Sequence, residues 1–279
     1  MIFKDRTVII TGGSEGVGAA TARLFAEAGA NLMLVARGKK NLEAVAEELR
    51  DKAKVEIFAM DVSDAEACVE VFTTAQFDFG RIDVLVNNAG YHARGTVEAV
   101  DAAELGKMVD VNLRAPIVLA RLALPYLKES DEAVIINVGS LAGRTPVPGS
   151  ATYSSTKAGL RAFTMSLAEE LRGSNIKVGL VSPGPIDTGF IMADIDKTAD
   201  ITFSQPMSTA EEVAQNILDL CGNNIREVSM PALSGLLTTV NYLFPWVGRK
   251  MRPVLERKGQ RVKKELKAAA KARAANQAE

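Results

Sequence analysis

The sequence predicts a three-layer α/β fold, with helices on both faces of a doubly wound, mainly parallel sheet. Three observations carry this prediction: short apolar runs recur along the chain, amphipathic stretches separate them, and a glycine-rich turn joins the first run to the first amphipathic stretch.

Residues 7–11, Thr-Val-Ile-Ile-Thr, form a β-rich apolar run; a glycine turn follows, and then a helical pattern over 17–28. The alternation returns as a strand over 32–36 with a helix over 41–49, and a strand over 55–59 with a helix over 64–77. Further strands are expected at 84–86, 133–138 and 178–181, separated by helical patterns around 103–127 and 153–171. Runs that are apolar throughout suit strands buried on both faces, and strands linked by helices pair in parallel through right-handed crossovers. No repeat or linker interrupts this order, so 1–230 reads as one domain and 231–279 as a helical C-terminal extension, apolar over 231–248 and basic over 249–279.

With 279 residues, 47% of them hydrophobic, the chain can bury a sizeable core. Its net charge of -1 gives no reason to expect nucleic acid, but it hides an asymmetry. Residues 248–279 carry 11 Lys/Arg against 3 Asp/Glu, leaving 22 against 31 in residues 1–247. Cys68 and Cys221 have no metal-ligand spacing, so neither a disulfide framework nor a metal site is expected. The N-terminus enters the first strand without the charged, apolar and cleavage regions of a secretory signal, which predicts a cytoplasmic protein.

The first turn reads Thr11-Gly12-Gly13-Ser14-Glu15-Gly16-Val17-Gly18. Glycines permit a backbone that bulky residues block and let a pyrophosphate reach a helix N-terminus, so Gly12, Ser14, Glu15, Gly16, Val17 and Gly18 are candidate dinucleotide contacts. The second strand ends at Ala36-Arg37, where such folds judge the adenosine ribose. An acid there would grip the 2′-hydroxyl of NAD; the Arg37 fork suits the 2′-phosphate of NADP. NADP(H) is therefore expected, while Glu15 opposes the field of Arg37 and leaves NAD(H) use open. Tyr153 and Lys157 stand four apart, hence on one helix face, and an ammonium beside a phenol favours the phenolate. Ser140 can hydrogen-bond an oxygen that gains negative charge, and Asn112, through backbone or amide, can hold a water against Lys157. Taken alone, a Tyr four before a Lys is an ordinary surface pair.

Together, Thr11-Gly-x-x-x-Gly-x-Gly18, Asn87-Asn88-Ala89-Gly90, Asn112, Ser140, Tyr153-x-x-x-Lys157 and Pro183-Gly184 resemble the ordered motifs of the short-chain dehydrogenases/reductases, over roughly residues 5–230. The resemblance implies a Rossmann sheet of about seven strands and an NADP(H)-dependent oxidoreductase that interconverts a ketone or aldehyde and an alcohol. It implies Tyr153 as acid/base, Lys157 as the partner that lowers its pKa and holds the nicotinamide ribose, Ser140 as substrate-orienting and Asn112 as anchor of a proton-relay water. It also implies Asp61 and Val62 at the adenine, Asn88, Ala89 and Gly90 along the cofactor, and Pro183, Gly184, Ile186 and Thr188 at the nicotinamide carboxamide. A small-molecule substrate and a homo-oligomer joined through the helices around 103–127 and 153–171 belong to the same implication. Two features depart from the pattern: Glu15 stands where NADP-using relatives often place a basic residue or serine, and no short final strand or compact C-terminus is recognised beyond Asn224.

Residues 231–248 are apolar but interrupted by Asn241 and Pro245, too short and broken for a span that needs about 20 apolar residues. They hold Trp246 and run into Arg249, Lys250 and Arg252, an aromatic-then-basic order that suits peripheral membrane contact. The alternative is a lid or dimer arm packed on the protein itself, followed by a solvated helix. Extra apolar C-terminal sequence is also a likeness to 3-ketodihydrosphingosine reductases, and it points to a hydrophobic or lipid-like substrate. Two rivals stay open: an acyl-carrier-protein-dependent 3-oxoacyl reductase, and a non-catalytic NADP-binding regulator. Arg144 and residues 146–148 are expected at the substrate mouth and 192–201 as a mobile lid, while His92 receives no role.

Overall fold

The computed structural model describes residues 3–192 and 194–277, without the side chains of 190, 192 and 270–277; residues 1–2 of the first domain, 193 of the expected lid and 278–279 of the tail lie outside the described residues. Strands β1 Thr7–Thr11, β2 Asn31–Ala36, β3 Val55–Ala59, β4 Val84–Asn87, β5 Ala133–Val138, β6 Ile176–Pro183 and β7 Glu227–Met230 form one parallel sheet in the order β3-β2-β1-β4-β5-β6-β7. The expected doubly wound α/β fold is therefore present. Strand order reverses between β1 and β4, and the loops leaving their C-terminal ends diverge to open a crevice.

The helices are α1 Gly16–Glu27, α2 Lys39–Leu49, α3 Ala65–Phe79, α4 Ala102–Val109, α5 Ala115–Leu127, α6 Ala151–Glu170, α7 Gly189–Met192, α8 Ala210–Gly222, α9 Ala232–Leu243 and α10 Pro245–Gln277. Successive residues of β1 point to opposite faces, and both faces are buried. Val8 and Ile10 pack with Phe25, Leu42 and Ile217 of α1, α2 and α8, while Ile9 packs with Phe72, Leu119 and Leu167 of α3, α5 and α6. Each such side chain contributes about 1.5–3 kcal/mol by leaving water. Local signals set helix starts: Asp64 accepts from the Glu66 and Ala67 amides at 3.0 and 3.2 Å, and Thr209 with Glu212 forms a reciprocal capping box at 3.1 and 2.9 Å.

Two elements differ from the sequence reading. The helix expected around 103–127 is broken by one wide turn, Asp110–Arg114, with i→i+5 geometry and Asn112 inside it. A final strand does exist: β7 is only four residues, Glu-Val-Ser-Met, and its polar members pair with neighbours across the sheet edge instead of forming an apolar run.

Beyond β7 the chain turns back over the C-terminal edge of the sheet. Arg144 donates to Thr239 Oγ1 at 3.0 Å and Asn241 donates to Thr145 Oγ1 at 2.6 Å, so α9 is tied to the loop after β5. Helix α10 lies against the short turn Asp200–Ser204, where Gly259 permits the approach: a Cβ there would sit 1.8 Å from the Asp200 carbonyl oxygen. Lys263 Nζ donates to the Thr198 carbonyl at 2.7 Å and to Asp200 Oδ1 at 3.1 Å. Among the described residues, no helix is long and apolar enough to cross a membrane.

Candidate active site

The crevice at the β1/β4 switch is built by backbone close to backbone. Gly12 has φ +69° and Gly16 φ +52°, conformations that glycine adopts without strain. A Cβ on Gly12 would meet Asn88 Nδ2 at 2.7 Å, and one on Gly18 would meet the Gly12 carbonyl oxygen at 2.0 Å. Asn88 closes the turn from the other strand, donating from Nδ2 to the Thr11 carbonyl at 3.0 Å, while Thr11 Oγ1 accepts from the Asn88 and Ala89 amides, both at 3.0 Å. The first turn of α1 carries no side-chain cap, so its amides face the crevice. This bare, amide-lined turn fits a dinucleotide pyrophosphate.

One cavity of about 1440 Å³ runs from this turn to the C-terminal extension. Of the predicted cofactor residues, Gly12, Ser14, Glu15, Gly16, Val17, Arg37, Asp61, Val62, Asn88, Ala89, Gly90, Pro183, Gly184, Ile186 and Thr188 all line it, as do Ser140, Tyr153 and Lys157. Gly18 does not; it serves the turn from behind, against Gly12. Arg37 and Glu15 are both exposed at the rim, and among the described residues neither forms an ion pair with the other. Burial works against the Asp61 carboxylate, but two hydrogen bonds from Ser63, at 3.0 and 2.7 Å, and the charges of Lys107 and Arg37 hold it below its ordinary value.

At the other end, Ser140 caps a short turn by accepting from the Ala142 amide at 3.1 Å, and it lines the same cavity as the Tyr153 phenol. Gly143 lets this loop press on α6, since a Cβ there would lie 2.8 Å from the Lys157 carbonyl carbon. Lys157 Nζ is buried, donates to the Val138 carbonyl at 2.8 Å and stands 5.9 Å from the centre of the Tyr153 ring. Burial pushes this ammonium down to about 8. Burial likewise raises the Tyr153 phenol, against the lowering effects of Ser140 and of the Arg94 charge. Desolvation of both groups thus opposes the phenolate that the lysine charge alone would favour.

Asn112 is buried and does not line the cavity. Its amide is committed to the backbone of Tyr91, accepting from the amide at 2.9 Å and donating to the carbonyl at 2.8 Å. This places Tyr91 and Gly90 beside Lys157: a Cβ on Gly90 would be 3.0 Å from Asn112 Oδ1 and 3.6 Å from Lys157 Nζ.

Several residues depart from expectation. Arg144 leaves the substrate mouth to Thr145, Pro146 and Val147 because Glu227, Ser229 and Thr239 draw its guanidinium toward β7 and α9; Pro148 is also absent from the wall. The segment expected as a mobile lid is held by α10 through Lys263. His92, given no role from sequence, stacks on Tyr153 with ring centres 4.3 Å apart and planes 14° from parallel. Leu233, Leu237, Val240, Val247, Met251 and Leu255 of the extension complete the apolar wall. Their apolar spacing was legible; the surface they would cover was not.

A family model described as short chain dehydrogenase matches residues 6–199. An oxidoreductase of Staphylococcus saprophyticus is 38% identical over 202 residues, covering 71% of this chain and 82% of that protein. Among solved structures, a metagenomic short-chain oxidoreductase in complex with NADP is 32% identical with a TM-score of 0.70, and a short chain dehydrogenase from Burkholderia cenocepacia in complex with NADP is 28% identical with a TM-score of 0.76. Each alignment covers 82% of this chain and 98% of the other.

Proposed function

Because the chain belongs to the short-chain dehydrogenase/reductase family, we propose that it is an NADP(H)-dependent oxidoreductase that interconverts a ketone or aldehyde and an alcohol, with Tyr153 as acid/base. The observation that carries this reading is the Tyr153 phenol, in one cavity with Ser140 and the glycine turn and one helical turn from Lys157. Gly12, Ser14, Gly16, Val17, Asn88, Ala89 and Gly90 would hold the diphosphate side of the cofactor, Asp61 and Val62 the adenine, Arg37 the 2′-phosphate, and Pro183, Gly184, Ile186 and Thr188 the carboxamide. NADP complexes of two structural neighbours support the cofactor assignment, and Glu15 leaves NAD(H) use open. When bound, the cofactor supplies hydride in reduction and accepts it in oxidation.

In reduction, the substrate oxygen gains negative charge, Ser140 donates a hydrogen bond to it, and Tyr153 Oη delivers the proton. Lys157 stabilises the phenolate left behind. Asn112 spends its amide on Tyr91, so the backbone of its wide turn, rather than the side chain, is the proposed anchor of a relay water. Tyr153→Phe should lower turnover about 10²–10⁴-fold while NADPH binding, followed by nicotinamide fluorescence, stays unchanged. Turnover within a few-fold of the parent would overturn the mechanism, and NADPH binding without turnover by the parent on any ketone would favour the regulator.

The apolar residues that α9 and α10 place in the cavity lining, beside Arg249, Arg252 and Lys258, favour a hydrophobic, lipid-like substrate. Leu233 and Leu237 both line the cavity and are mostly exposed, at 68% and 59%, so its mouth continues into an outer apolar patch with Leu236 and Trp246. Lys250 lies 5.5 Å over the Trp246 ring. We read this patch, with its flanking cations, as a peripheral contact for anionic membrane. Lys263 and Lys267 are engaged by Asp200 and Asp196, which leaves fewer tail cations for an acidic carrier protein and favours a free lipid over an acyl-carrier substrate. Co-sedimentation with phosphatidylglycerol vesicles at low salt, lost in Leu236→Ser/Trp246→Ser, tests the contact. The faces of α4, α5 and α6, with Val109 and Ile117 exposed, are the proposed homo-oligomer interface, to be checked by light scattering.

A further inference from the structure

We propose that Arg94, held against Tyr153 through His92, is a positioning residue that favours the ionised form of the acid/base phenol. The inference rests on the reading of Tyr153 given above. Arg94 and His92 follow the Asn87-Asn88-Ala89-Gly90 turn and line the cavity beside Tyr153. Arg94 Nη1 lies 3.0 Å from His92 Nδ1. A guanidinium has donors and no acceptor, so Nδ1 must supply the lone pair, and the ring proton of neutral His92 resides on Nε2. The face of the same imidazole lies flat on the Tyr153 ring, 4.3 Å between centres. Guanidinium, imidazole and phenol thus form one chain of contacts, a hydrogen bond at the edge of the imidazole followed by a ring stack.

The order of these contacts matters electrostatically. Burial, then the Arg94 charge, depress the imidazole to about 4, so near neutral pH it is an uncharged spacer that does not compete with the phenol for the field of Arg94. Arg94 is itself disfavoured by burial, and the partners that support its charge are Tyr153 and Asp194. The charged and titratable groups facing the phenol are therefore Arg94 and Lys157, with His92 between, and Asp194 partly offsetting Arg94 from the lid side. These two cations differ in one respect. Burial pushes the Lys157 ammonium down to about 8, whereas a guanidinium keeps its charge through the working range. Arg94 supplies the part of the field that does not fade as pH rises.

The test reads phenolate directly, without a substrate. Tetranitromethane nitrates tyrosine through the phenolate, and peptide mass spectrometry resolves Tyr153 from exposed Tyr242, the internal reference. In Arg94→Gln, nitration of Tyr153 relative to Tyr242 at about pH 8 should fall several-fold, because the cation that favours the phenolate is gone. Arg94→Lys should remain within about twofold of the parent, because the charge is kept. His92→Phe preserves a stacking ring but removes the acceptor that holds Arg94, and should fall in the same direction by a smaller factor. Unchanged relative nitration in an Arg94→Gln protein that still binds NADPH overturns the proposal, and if that variant does not fold, unchanged nitration in His92→Phe does so. Retained turnover in Tyr153→Phe would instead remove the underlying reading, so the two failures are distinguishable.

Discussion

Arg144 Nη1 donates to Thr239 Oγ1 at 3.0 Å, and through that contact the loop carrying Ser140 and the first helix of the C-terminal extension share one guanidinium. The same Arg144 meets Glu227 of β7, as does Arg161 of α6 at 2.9 Å. One carboxylate therefore holds two cations where the catalytic loop, the sheet edge and the extension meet. Both Arg144 and Glu227 are shielded, at 12% and 16% side-chain exposure.

Glu227→Gln leaves the two guanidinia facing each other across a neutral amide. Removing one partner of a buried pair costs several kcal/mol; because Arg161 reaches solvent, about 2–3 kcal/mol is expected here. Urea denaturation should show a lower midpoint at unchanged slope. If α9 loosens, kcat/KM for a long-chain ketone falls more than for a small one. A stability loss below about 0.5 kcal/mol would show that the network is not a structural joint.

Lys157 should make the cofactor-free protein less stable near neutral pH. Its folded value, about 8, lies below the ordinary 10.5, so between these pH values the unfolded chain holds a proton that the folded one has released. Stability then rises with pH through that window. Relative to Lys157→Met, the parent should be weaker by roughly 3 kcal/mol below about pH 8, and the gap should close toward pH 10.5. Chemical denaturation of both proteins across this range checks the sign; a gap that widens with pH would contradict it. The methionine variant should also lose most turnover, the mark of a group kept for chemistry at the expense of stability.

What the sequence disclosed about the fold follows physical rules of range. Residues 7–11 and 133–138 are legible as strands because burial on both faces leaves an uninterrupted apolar run. Strand β7 was missed because Glu227 and Ser229 are polar for the sake of partners far along the chain, Arg144 above all. At the candidate site, the glycine turn and the Tyr153/Lys157 spacing are local and readable. The His92 stack depends on a loop folding over α6, and no period or motif announces it. Similarly, the apolar spacing of Leu233, Leu237 and Val240 shows in the sequence, but their place over the cavity depends on the return of the chain beyond Pro231.

Arg37 should decide between the two dinucleotides. It stands exposed at the cavity after β2, where a 2′-phosphate would meet its fork, and Glu15 is exposed in the lining of the same cavity. Arg37→Ala should lower kcat/KM with NADPH about 10–100-fold, the loss of one charge-assisted bidentate contact, and leave NADH within about twofold. Glu15→Ser should shift the ratio toward NADPH by removing the repulsion. Equal losses with both cofactors in Arg37→Ala would mean that Arg37 serves the shared part of the nucleotide.

Lys263 should govern how the segment before the turn Asp200–Ser204 opens. Its side chain is only 13% exposed and its ammonium meets Thr198 O, Asp200 Oδ1 and Asp196 O, the last at 3.3 Å. Lys263→Ala removes the donor and leaves these oxygens to water, so the segment should open more often while α10 remains helical. Limited proteolysis within 194–204 should then run several-fold faster. If release of product through this opening limits the rate, kcat should rise as KM for a long-chain substrate rises; if chemistry limits, KM alone should rise. Added salt should reproduce little of the effect in the parent, because a shielded pair is screened less than a surface one. Proteolysis at the parent rate, with circular dichroism unchanged, would show that α10 covers the segment without restraining it.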